Sequence, residues 1–113
     1  MNTKIQGSIG VAEAIKYYTI NGYAVFSPIS DVSRFDLIVE KDGLLYRIEV
    51  KTCAAKNNQF MLRTNGGNQS WNKESKYLSS EDCDRVFLYN INTDNSKELD
   101  IKELEGRSTI TFK

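Results

Sequence analysis

Asp36, Glu49 and Lys51 fall within one short stretch, RFDLIVEKDGLLYRIEVKT, residues 34–52. Asp-Gly between two apolar alternations is the signature of a two-residue hairpin loop. With Asp42 and Gly43 as that loop, Lys41 pairs with Leu44, Val39 with Tyr46, Leu37 with Ile48 and Asp36 with Glu49. Side chains alternate between the two faces of a strand. Leu37, Val39, Tyr46, Ile48 and Val50 therefore share an apolar face, and Asp36, Glu49 and Lys51 share the other. Directly opposed residues have Cβ atoms roughly 5 Å apart, where like charges repel. Two carboxylates so placed call for a cation between them, and Mg²⁺ takes one or two carboxylates plus waters. Such an ion acidifies a bound water and neutralises charge on a phosphate. A neighbouring ammonium positions a nucleophile or stabilises developing negative charge. The chemistry that suits this trio is hydrolysis of a phosphodiester. The competing reading makes Arg47, Glu49 and Lys51 the solvated face of a two-sided strand. Register decides between them, because a three-residue loop moves Asp36 off the face of Glu49.

Other chemistries are excluded by composition. The chain contains no histidine, which rules out Ser-His-Asp and Cys-His arrangements and any His-ligated metal. Its two cysteines, Cys53 and Cys83, form no C-x-x-C pair, so a zinc site is not expected. The first residues, MNTKIQGSIG, lack an apolar signal-peptide core, so both cysteines are expected as reduced thiols in a cytoplasm. The 113 residues make one domain, 1–113, and 40% hydrophobic with 27% charged residues fits a soluble globular chain. No apolar run reaches the ~18 residues that a membrane helix needs. The net charge of zero does not mark a strongly basic nucleic-acid binder. Charge is nevertheless segregated. Residues 51–80 carry Lys51, Lys56, Arg63, Lys73 and Lys76 against Glu74 alone, while 81–105 are predominantly acidic.

The elements that must position the trio are legible as patterns. SIGVAEAIKYYTIN (8–21) has Val11, Ala14, Ile15 and Tyr18 at helical spacing, with Ser8 as cap and Gly22 as stop. YAVFSPI (23–29) reads as a strand whose Pro28 marks an edge or exit. The hairpin follows, then a strand at QFMLR (59–63) and a polar, glycine-bearing loop at 65–76. RVFLYNI (85–91) reads as a central strand, ELDIKELEG as a short strand and helical turn, and STITF (108–112) as a closing strand. The order points to an α/β or α+β sheet with the first helix packed on one face.

GSIGVAEAIKYYTINGYAVFSPISD, RFDLIVE and YRIEVKT, in that order, resemble the PD-(D/E)XK nuclease superfamily. Within it the likeness is greatest to group I intron-associated homing endonucleases, then to archaeal-type Holliday junction resolvases. The resemblance implies an α/β fold, a restriction-endonuclease-like mixed β-sheet with an N-terminal helix packed on it. It implies Asp36 as the metal-binding aspartate, Glu49 and Lys51 as the (D/E)-x-K pair, and the Val50 carbonyl as a further ligand to Mg²⁺, with Mn²⁺ as substitute. One departure stands out. Such nucleases often carry a glutamate four residues after a glycine like Gly7, and here that position is Val11. Glu13 lies about 200° further around the helix and is expected to face solvent.

The substrate implied is DNA, duplex or branched, with no membrane partner. Phosphate contacts dominate nucleic-acid affinity, which nominates Ser33, Arg34, Lys56, Arg63, Trp71, Lys73 and Lys76. Trp71 either stacks on DNA or folds back on the core. A unit this small reads only a short stretch of DNA, so a homo-oligomer, dimer or tetramer, is expected to set two active sites on two strands. Ile110 and Phe112 are either its contact or core. A non-catalytic binding protein that keeps the nuclease fold is the alternative function.

Overall fold

The computed structural model describes residues 1–63 and 76–113. Helix α1 runs over Thr3–Ile20 and so begins more than a turn before the Ser8 cap expected. Asn2 is the cap, its side-chain oxygen accepting from the Ile5 N–H at 2.9 Å. The far end stops where Gly22 takes a φ of 86°, and Lys41 Nζ donates to the exposed Asn21 carbonyl at 2.9 Å. Glycine inside a helix costs roughly 1 kcal/mol against alanine. At Gly10 that cost has a purpose, because α1 meets the sheet there. A Cβ on Gly10 would run into Thr52 Cγ2 and lie 3.1 Å from Val50 Cγ1.

Five strands form the main sheet: β1 (Ala24–Phe26), β2 (Leu37–Lys41), β3 (Leu44–Cys53), β5 (Arg85–Asn90) and β6 (Ser96–Asp100). Their order is β1-β2-β3-β5-β6. β3 and β5 run parallel and the other pairs antiparallel, so the sheet is mixed as expected. β4 (Asn58–Met61), expected as one more strand near 59–63, instead pairs with β7 (Thr109–Phe112) in a separate two-stranded sheet. The β2–β3 turn has the anticipated two residues. Asp42 and Gly43 both take positive φ, 54° and 84°, as a type I′ turn requires. The register is the one read from the sequence, Lys41 opposite Leu44, Val39 opposite Tyr46 and Leu37 opposite Ile48.

Two cores flank this sheet. On the α1 face lie Ala14, Tyr18, Leu37, Val39, Ile48 and Phe87. On the opposite face Phe60, Leu62, Leu78, Val86, Leu88 and Leu104 are buried under the β4–β7 layer. Phe87 and Leu88 point to opposite faces and are both buried, which is why β5 reads as a continuous apolar run. Arg47, Glu49 and Lys51, on the face of β3 toward the second core, are each half-buried. Ile110 and Phe112 pack against the second core, Phe112 stacking on Phe60 at 5.6 Å. Leu78 is buried in this core, whereas its neighbour Tyr77 is 45% exposed. Buried Asn90 ties the loops together, donating to the Ala55 and Asn57 carbonyls and accepting from the Asn92 and Thr93 N–H groups.

Candidate active site

The β2–β3 ladder ends just above Leu37, and Asp36 sits where the two strands part. Its backbone N–H still donates to the Ile48 carbonyl at 2.9 Å. Its carboxylate then takes over the ladder, Oδ2 accepting from the Val50 N–H at 2.8 Å. Alternation along β3 sends the Val50 carbonyl to this same side, beyond the last β2–β3 pair among the described residues. Glu49, partly buried, stands close enough to Asp36 to share a hydrogen bond. Burial first, then that hydrogen bond and the charge of Asp36, push the Glu49 carboxyl up to about 9, with Lys51 pulling it back down. Two carboxyl groups so close cannot both ionise cheaply, so Glu49 keeps its proton well above the usual carboxylate range. Lys51 is half-buried, its Nζ 3.5 Å from the Arg63 carbonyl.

The oxygen donor set fits a hard divalent ion: two carboxylates that repel unless bridged by a positive charge, with a carbonyl aimed the same way. No cluster of three acidic, His or Cys side chains occurs among the described residues. A Mg²⁺-type ion does not require one, since waters complete its shell.

A cleft of about 510 Å³ opens over Asp36, lined by Lys4, Gly7, Ser8, Val11, Asp36 and Val50. Val11 thus does reach the site, at the position where the resemblance calls for glutamate. Glu13 does not line this cleft and is not in open solvent. It is half-buried near Tyr89, whose phenol is raised by a hydrogen bond to Asp94, by burial and by the nearby charges of Asp94 and Glu13.

The nominated DNA contacts divide. Ser33 shapes the approach to Asp36, its Oγ donating to the Phe35 carbonyl at 2.9 Å. Arg34 and Lys56 are exposed. The Arg63 guanidinium lies over the Tyr77 ring at 4.5 Å, beside Lys51. Lys76 pairs with buried Asp82 at 3.2 Å, a partner six residues away that composition did not reveal. Trp71 and Lys73 lie outside the described residues. Sequence reasoning passed over Lys4 and Ser8, although the spacing 4, 8, 11 sets them on one helical face with Val11. It also passed over the clamp behind the site. Arg47 grips Asp84 through Nε and Nη2 at 3.1 and 3.0 Å and holds the Ser80 carbonyl at 2.7 Å.

Comparison with known proteins follows this geometry. A bacterial homing endonuclease of solved structure, I-Ssp6803I, superposes with a TM-score of 0.83 at 20% identity, covering 100% of this chain and 79% of that one. The two share the restriction-endonuclease-like α/β fold. No curated protein matches. The sequence matches the PD-(D/E)XK endonuclease family over residues 1–110, a span that takes in α1, the β2–β3 hairpin with its carboxylate pair, and β5. This chain belongs to the PD-(D/E)XK endonuclease family.

Proposed function

We propose that this protein is a Mg²⁺-dependent DNA endonuclease of the homing type, with Mn²⁺ able to substitute. The observation that carries the reading is the Asp36 carboxylate held on the Val50 N–H at 2.8 Å, at the end of a register set by a two-residue turn, with Glu49 and Lys51 on either side of Val50 in β3. The ion, when bound, supplies an acidified water and charge neutralisation at the phosphate. Asp36 and Glu49 provide its carboxylate oxygens and Val50 a carbonyl oxygen. The Val50 N–H fixes the Asp36 rotamer at 2.8 Å, so that ligand is oriented before anything binds. The Lys51 ammonium, held on a central strand between two cores, stabilises negative charge developing on the phosphate and leaving oxygen. Ser33, Arg34, Lys56, Arg63, Trp71 and Lys73 are the proposed DNA contacts, and Lys76 joins them only if it leaves Asp82. Cutting two strands calls for two copies, so the working form is a homo-oligomer.

The likeness to a homing endonuclease, over 100% of this chain and 79% of that one, favours the homing reading over junction resolution. Val11 in the cleft wall supports one other reading, a DNA-binding protein that has kept the fold and lost the chemistry. The test is nicking of labelled linear duplex, a pool of genomic DNA and a synthetic four-way junction, with Mg²⁺ or EDTA. Metal-dependent cleavage that drops by ~10²–10³-fold or more in Glu49→Gln is expected. Preference for the junction would reassign the substrate. Binding without cleavage by a folded, metal-loaded protein would establish the non-catalytic reading.

A further inference from the structure

The helix wall of the cleft differs in charge from its floor. Lys4, Ser8 and Val11 stand on one face of α1 and line the cleft opposite Asp36 and Val50. No carboxylate lies in the first turn of α1. Several of the other cations near the sheet already have partners: Arg47 holds Asp84, Lys76 holds Asp82, Arg85 holds Glu98 and Lys41 holds the Asn21 carbonyl. Lys4 is exposed, and among the described residues it makes no salt bridge or hydrogen bond through its side chain. An ammonium and a hydroxyl one turn apart, facing Asp36 across an open cleft, match an anion that arrives with the substrate.

We propose that Lys4 and Ser8 form a subsite for a backbone phosphate of the nucleic-acid substrate, next to the phosphate held over Asp36 and Glu49. The inference rests on the endonuclease reading above. Lys4 supplies the charge and Ser8 a neutral donor. Val11, with no oxygen to offer, leaves the space between them free of a competing carboxylate. In this arrangement α1 is a substrate-binding element as well as a packing element. The two side chains position the strand and take no part in bond cleavage.

The test is equilibrium binding of a labelled duplex in EDTA, so that no cleavage occurs, over about 50 to about 200 mM salt. Native protein is compared with Lys4→Ala, Lys4→Arg, Ser8→Ala and Lys16→Ala. Lys16 is exposed on α1 and lines none of the cleft. Losing one phosphate contact lowers the slope of log affinity on log salt by about 0.9. The advantage of native protein over Lys4→Ala should therefore shrink about 3.5-fold across that range. Lys4→Arg should restore the native slope, Ser8→Ala should weaken binding with the slope unchanged, and Lys16→Ala should match native protein. A Lys4→Ala slope equal to the native one, in a protein that binds and cuts, overturns the subsite and leaves the endonuclease reading intact. Failure of folded native protein to bind any DNA overturns both.

Discussion

Replacing Glu49 by glutamine should stabilise the metal-free protein, and by an amount that grows with pH. The Glu49 carboxyl is pushed up to about 9 from an ordinary value of 4.5, chiefly by burial and then by its contact with Asp36. Between those two values the folded state holds a proton that the unfolded state has released. Folding stability of the native chain therefore falls as pH rises through this window, with a limiting slope of RT ln 10 per pH unit. Glutamine keeps the size of the protonated acid, offers Asp36 an N–H, and does not titrate. The two proteins should be equally stable near pH 4.5 and differ by on the order of 3 kcal/mol at pH 7. Urea unfolding in EDTA at several pH values reads this directly as a widening gap between midpoints at constant m. Parallel curves from pH 5 to pH 8 would refute the proton retained on Glu49 and the burial from which it is derived. Adding Mg²⁺ should close the gap from the native side only, because the variant has lost a ligand.

Three other outcomes follow from the same contacts. Mg²⁺ affinity should rise with pH up to about 9, approaching tenfold per unit, with a proton released on binding; calorimetry in buffers of different ionisation heat measures that proton, and pH-independent binding contradicts it. Asn90→Ala strands the Ala55 and Asn57 carbonyls and two loop N–H groups, and chemical denaturation should show a loss of about 2–3 kcal/mol. Asp84→Ala removes a pair that is about a third exposed, so its cost should be smaller, about 1–2 kcal/mol. Its larger effect should be faster amide exchange in the segment Arg47 grips, residues 80–84, detectable by hydrogen–deuterium exchange.

The hairpin was legible because its signals are local. Asp42-Gly43 names a turn type, and the turn sets the register from Lys41–Leu44 to Leu37–Ile48; the further pair expected, Asp36 with Glu49, is not in the ladder, which ends with Asp36 on the Val50 N–H. What sits above that face was not legible. The solvated face was only the competing reading of Glu49 and Lys51; both are half-buried, and the second layer on that side of the sheet, β4 with β7, forms only in the folded chain, with Asn58 opposite Phe112. The helix start was misjudged because Ser8 and Asn2 are both competent caps, and it is the Asn2 side chain that accepts from the helix, at the Ile5 N–H. Lys76 illustrates a third limit. Its ammonium looks available for DNA until the turn at 79–82 buries Asp82 beneath it. Lys4 and Ser8 were overlooked for the opposite reason, because nothing in their types marks them until the fold brings Asp36 across from them.

The close approach at Gly10 makes α1 a lever. Its C-terminal end is anchored by Tyr18 in the helix-side core and by Lys41 on the Asn21 carbonyl. Its N-terminal end carries one wall of the cleft. At 1.5 Å per residue Gly10 lies about 12 Å from Tyr18, and Lys4 about 21 Å. Tilting about the anchored end, a lift of about 1 Å at Gly10 becomes nearly 2 Å at Lys4. Thr52 is β-branched and poorly able to turn aside, so a single methyl at Gly10 would act as a shim under the lever. The jaw over Asp36 would open while both cores and the β2–β3 register stayed in place. Misplacement of about 1 Å is enough to cost a catalyst on the order of 10²-fold. A glycine packed on the strand that carries the site thus sets the gap of the jaw.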